Sequence, residues 1–152
     1  MNSIRIAKKD IYTIEVNDAG ETIEFDLLDI ELPFKCRKAF EEVNRITSEL
    51  KAKLVIISKK QDHQKKGEYA TANETAVLEA YREAFAEMRK AVDVFLGEGG
   101  CQKIFGDRNY LEMYDELAEA LAPHMEKMKI SATGVVERIK SKYGANDDNV
   151  LR

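Results

Sequence analysis

An α+β fold weighted towards helix is predicted by three features of this 152-residue chain. Apolar residues alternate only in the first part, they recur at helical spacing through most of the remainder, and proline and glycine mark the junctions. The expected architecture is an N-terminal antiparallel β-hairpin over residues 1–28, with a third short strand left open. A bundle of four to five helices over 33–143 and a frayed tail over 144–152 complete the expectation. With 44% apolar residues, the chain suits one domain of 1–152 with its own core.

The hairpin is read from two alternating runs. Tyr12, Ile14 and Val16 share one face, and Ile23, Phe25 and Leu27 share the matching face. Asn17, Asp18, Ala19 and Gly20 stand between the runs and include the residue types that tolerate positive φ in a tight loop. Ile4 and Ile6 supply the third strand, with Lys8, Lys9 and Asp10 as its turn. An isolated hairpin is marginal in water, so its apolar face needs a helix to pack on.

Pro33 suits a first helical turn, where its missing N–H costs nothing, and Asp29 and Glu31 suit the positive helix end. The helix from Pro33 to about Lys60 carries the stripe Cys36, Phe40, Val43, Thr47, Leu50, Leu54 and Ile57. A polar run over 59–67 reads as a solvated helix end and loop rather than a phosphate-binding patch. Thr71 and Glu74 have capping-box spacing ahead of a second stripe: Leu78, Tyr81, Phe85, Met88, Val92 and Phe95, widened by Val77, Ala84 and Leu96. Gly97 stops it. After a short amphipathic segment, Asn109 and Glu112 suggest another start, followed by Leu111, Tyr114, Leu117, Ala118, Leu121, Met125 and Met128. Pro123 falls inside that stripe and predicts a kink or split near Ala122. Thr133 is a candidate cap for a last helix bearing Val135, Val136, Ile139 and Tyr143, with Gly144 just past its end.

Charged residues make up 34% of the chain, the signs are interspersed and the net charge is −4. That balance argues against nucleic acid as a partner, because phosphate binding needs a basic face. Cys36 and Cys101 lack metal or redox spacing and read as reduced, partly buried thiols in preference to a disulfide. No run has the length of a membrane span or the pattern of a signal peptide, so a soluble, cytoplasmic protein without membrane partners is expected.

No catalytic, cofactor-binding or metal-binding residue is predicted. Gly97, Gly99 and Gly100 lack the GxxxxGK[ST] and GxGxxG spacings, and Glu98 would repel a phosphate. Asp107, Arg108 and Asn109 begin like a calcium loop, but Glu112 and Ala118 stand where glycine and glutamate are required. His63 and His124 have no second ligand at zinc spacing, and His124 reads as an ordinary surface or boundary residue. No GxSxG elbow is present, and carboxylate pairs such as Glu41 with Glu42 fall on expected solvated faces. The positive signals point to protein binding. Phe105, Tyr110, Met113, Met125 and Met128 are the candidate partner-binding residues, because methionine-rich apolar surface adapts to varied helices. The alternative is that these methionines fill irregular gaps in the core.

The stretch YTIEVNDAGETIEFDLLDIELPFK resembles the start of tail assembly chaperones from long-tailed phages of Gram-positive hosts and related prophages. The later FLGEGGCQKIFGDRNYLEMYDELAEALAP and MEKMKISATGVVERIKSKYG are similar to the C-terminal half of the same family. Residues 60–75 are the least characteristic. The resemblance implies a non-catalytic assembly factor, active in the host cytoplasm, that keeps the helical tape measure protein soluble and recruits tail tube subunits. It needs no cofactor, and it leaves a homo-oligomer open. A structural or connector subunit retained in the virion, and a small cytoplasmic enzyme, are the alternative readings.

Overall fold

The structure, a computed structural model, describes residues 1–130 and 132–143, with the side chains of Ala132, Thr133, Val135, Arg138 and Tyr143 left aside. Its elements are β1 (Ile11–Glu15), β2 (Thr22–Asp26), α1 (Leu32–Ser58), α2 (Ala72–Leu96), α3 (Gly100–Phe105), α4 (Met113–Met128) and α5 (Ala132–Tyr143). The class is therefore α+β, mainly α, with an antiparallel hairpin ahead of five helices among the described residues. Capping by Thr133, the apolar positions Val135 and Tyr143, the stop at Gly144 and the tail over 144–152 lie outside the described residues. Two compact units divide the chain, with the boundary inside α1: one joins residues 1–36 to the stretch from Tyr110 onward, and the other is 37–109.

In the first unit the register pairs Tyr12 with Phe25 and Ile14 with Ile23, so these four share a face. Ile23 and Phe25 are buried, while Thr13 and Glu24 on the opposite face are exposed. Gly20 takes φ 82° in the loop, a conformation that costs a Cβ-bearing residue strain. Val16 N–H closes the loop on Glu21 O at 2.9 Å. The third strand does not form: residues 1–10 carry no strand, and Ile4 and Ile6 are 91% and 84% exposed. Asp10 belongs to the hairpin end instead of a turn. Its carbonyl accepts from Leu27 N–H at 2.8 Å, and its own N–H donates to Asp26 Oδ1 at 3.3 Å.

The hairpin meets α4 through Tyr12, whose hydroxyl hydrogen-bonds His124 Nδ1 at 2.8 Å, the rings lying edge to face. His124 is half-buried, the boundary position expected of it. Cys36 Sγ lies 3.4 Å from Met125 Sδ, which brings the first turns of α1 against α4. The helix α4 starts at Met113, and its buried residues are Met113, Tyr114, Leu117, Leu121 and Met128. Leu111, expected on that stripe, is 67% exposed, because it sits in the turn before the helix and helical spacing does not yet apply to it. Pro123 does not split α4. Proline removes one backbone bond, but Glu119 and Pro123 are both exposed, so water can solvate the carbonyl left over.

In the second unit α1 and α2 form an antiparallel helical pair, tied by Lys53 Nζ to Glu83 Oε2 at 3.3 Å. The seam on α1 is centred beside the expected stripe. Ala39, Val43, Ile46, Leu50 and Ile57 are buried, while Phe40, Thr47 and Leu54 flank it half-exposed. Thr47 satisfies its hydroxyl by donating to Val43 O at 2.8 Å. On α2 the buried residues are Ala80, Ala84, Phe85, Met88, Val92, Phe95 and Leu96. Leu78 is 60% exposed, against expectation, because the small Ala80 and Ala84 take the side that faces Ile46 and Leu50.

Side chains of α2 brace the glycine break. Asp93 Oδ1 accepts from Cys101 N–H at 2.8 Å, at the start of α3. Arg89 reaches Asn109 Oδ1 at 2.8 Å, Arg108 O at 2.6 Å and Gln102 Oε1 at 3.3 Å. Asn109 is thus held by Arg89 and does not cap α4, whose N-cap is Glu112. Gly100 is required by space: a Cβ there would lie 2.5 Å from Leu96 Cβ.

Candidate functional site

The end of the second unit where α1 stops and α2 starts is assembled from short-range signals. Residues 59–68 are too polar to continue a core-facing helix, and they are exposed. The helix α2 then begins on the capping box. Thr71 Oγ1 accepts from Glu74 N–H at 3.1 Å, and Glu74 Oε1 accepts from Thr71 N–H at 2.8 Å. One step further, Asn73 reaches across to α1 and donates from Nδ2 to Lys60 O at 2.9 Å and Ile57 O at 3.3 Å. It thereby adds a donor at the helix end, where carbonyls run out of intrahelical partners; Ile57 O also accepts from Lys60 N–H at 3.1 Å. The brace is reciprocal: Asp62 Oδ1 accepts from Asn73 N–H at 3.1 Å and from His63 N–H at 2.9 Å. The Asn73 N–H and the Thr71 hydroxyl hold the Asp62 carboxyl below the usual carboxylate range.

This brace holds the two helix ends around an open groove of about 540 Å³ lined by Leu54, Ile57, Tyr69, Ala70, Val77 and Leu78 with three polar neighbours. The polar neighbours are committed to backbone. Ser58 Oγ donates to Val55 O at 2.7 Å, Asn73 covers the α1 carbonyls, and Glu74 closes the capping box. Tyr69 is 98% exposed and Leu78 60%, and Val55 and Ile56, between the lining residues Leu54 and Ile57 in sequence, are 52% and 61% exposed. The groove can take up apolar surface.

Of the five residues singled out from the sequence, Met113 and Met128 are buried and Phe105, Tyr110 and Met125 are half-buried. Phe105 is half-buried in the 37–109 unit, and the other four belong to the first unit. Met113 and Met128 are 0% and 2% exposed and fill the core, while Met125 is half-buried against Cys36. Tyr110 is half-buried and donates its hydroxyl to Glu116 Oε2 at 2.5 Å. Packing accounts for Met113 and Met128, the use of methionine that competed with partner binding. The groove residues were masked by their stripes: Leu54, Ile57, Val77 and Leu78 all have core spacing. Tyr69, a lone aromatic in a polar loop, was the signal available.

Neither Cys36 nor Cys101 is in a disulfide among the described residues, and both are buried. Burial pushes the Cys36 thiol up to about 11. Among the described residues no three His, Cys, Asp or Glu side chains gather as a metal site, and no helix is long and apolar enough to cross a membrane. Comparison with family models, with curated proteins and with solved structures gives no match.

Proposed function

We propose that the chain is a non-catalytic assembly factor that shelters the apolar face of a partner helix, as the resemblance to tail assembly chaperones implies. In that reading the partner is a tape measure protein, and tail tube subunits are recruited around it. The observation that carries the reading is the open groove between the ends of α1 and α2, with Leu78 and Tyr69 left exposed at its edge.

Physical reasoning favours a transient grip. The groove spans Leu54 to Ser58 on one wall and Asn73 to Leu78 on the other. That is about 7 Å of helix at 1.5 Å per residue, room for adjacent ridges of one partner helix. A contact of this size lacks the deep, fully desolvated anchor of a tight interface, which suits a factor that must let go.

The test is co-expression with the tape measure protein that this reading implies, read by solubility and co-purification. The expected result is a soluble, co-purifying partner with the parent chain and loss of both with Leu78→Asp, a substitution at an exposed position. A partner equally insoluble with and without this protein overturns the proposal. Recovery of the chain in purified particles would favour a retained structural subunit instead.

A further inference from the structure

The loop that joins the walls of the groove is basic. Between the lining residues Ser58 and Tyr69 it carries Lys59, Lys60, Lys65 and Lys66, all exposed, against two carboxylates, Asp62 and Glu68. Both carboxylates are occupied by backbone N–H groups: Asp62 by Asn73 and His63, and Glu68 by Lys65. Glu74, the one acid that lines the groove, is held in the capping box. None of the four lysines enters an ion pair among the described residues. Lys53, by contrast, is matched by Glu83. The loop backbone also stands at the groove, because Lys60 O accepts from Asn73, a lining residue. An apolar floor beside a surplus of unmatched cationic side chains selects by sign as well as by shape.

From this juxtaposition we infer that the groove takes an acidic amphipathic helix, with apolar residues at i, i+3 or i+4 and i+7 flanked by aspartate or glutamate. The inference rests on the proposed helix-sheltering function and specifies the partner's chemistry. The apolar ridge fills the groove between Leu54, Ile57, Val77 and Leu78, and the flanking carboxylates lie over Lys59, Lys60, Lys65 and Lys66. Exposed ion pairs add little each, so the lysines act chiefly as a filter on charge and on association rate, and salt weakens them.

Three 18-residue helical peptides with the same leucine ridge and glutamate, glutamine or lysine flanks test it, titrated against the full chain by fluorescence anisotropy. The glutamate peptide should bind about fivefold or more tighter than the glutamine peptide, with the lysine peptide weakest, and the gap should close in high salt. The exposed-loop variant Lys59→Glu/Lys60→Glu/Lys65→Glu/Lys66→Glu should reverse the order, and Leu78→Asp should weaken all three. Equal binding of the three peptides, or preference for lysine flanks, overturns the acidic-partner inference and leaves helix sheltering standing. Binding of none overturns both.

Discussion

Asn73 sits where two electrostatic rules give opposite answers, so its replacement by aspartate tests how the end of the α1–α2 pair is held. Asn73 is the second residue of α2 after the Thr71 cap, and a carboxylate there should stabilise by about 0.3–1 kcal/mol through the helix dipole. Its amide, however, donates to Lys60 O and Ile57 O, and a carboxylate would place lone pairs against those carbonyls. Asn73→Ala removes two partly exposed hydrogen bonds, a loss of about 1–3 kcal/mol at roughly 0.5–1.5 each. The Asp62 contact survives in both variants because it goes to the Asn73 backbone. Asn73→Asp should therefore destabilise the chain relative to the parent, the dipole gain being smaller than the lost donors plus the new repulsion. Urea unfolding followed by circular dichroism measures both, and an unchanged m-value assigns the shift to stability. A destabilisation of 1 kcal/mol corresponds to roughly 2–4 °C in Tm for a chain of this size. If Asn73→Asp proves as stable as the parent chain or more so, the cross-helix cap contributes nothing and the reasoning fails.

Met113→Ala should cost about 2–5 kcal/mol because its side chain is fully buried, whereas Leu111→Ala, at 67% exposure, should stay within about 0.5 kcal/mol. The same denaturation assay ranks them, and the opposite order would refute the placement of the start of α4. Gly100→Ala should destabilise by about 1–3 kcal/mol, since the new Cβ meets Leu96 Cβ at 2.5 Å, despite alanine's better helix propensity. Cys36 holds its proton more tightly folded than unfolded, its pKa rising from 9.0 to about 11. Its contribution to stability is therefore full below pH 9 and lost as pH rises towards 11. Unfolding measured across that window should show a steeper loss in the parent chain than in Cys36→Ala, and at pH 8 a thiol reagent should label Cys36 far faster in urea than in the fold.

What the sequence by itself determined is local. The hairpin loop before Gly20, the capping box of Thr71 and Glu74, and the stop at Gly97 all depend on residues a few positions apart. Their geometry follows from residue types close together in the chain. The alternation of the strands and the periods of α1, α2 and α4 were legible for the same reason. Which part of each apolar stripe is covered was not. Phe40 and Thr47 yielded the centre of the α1 seam to Ala39 and Ile46, and Leu78 yielded to Ala80 and Ala84, because the partner helix decides which side is closest. Met113 and Met128 have the residue type of an adaptable binding surface and lie in the core, since both settings favour the same side chain. The groove arose where those two limits met. Its lining residues carry core periodicity, and only the packing of α1 on α2, with Asn73 bonded to carbonyls up to sixteen positions away, left Leu78 and Tyr69 at an open edge. Spacing encodes an apolar face, but whether anything covers it depends on surfaces brought together from distant parts of the chain.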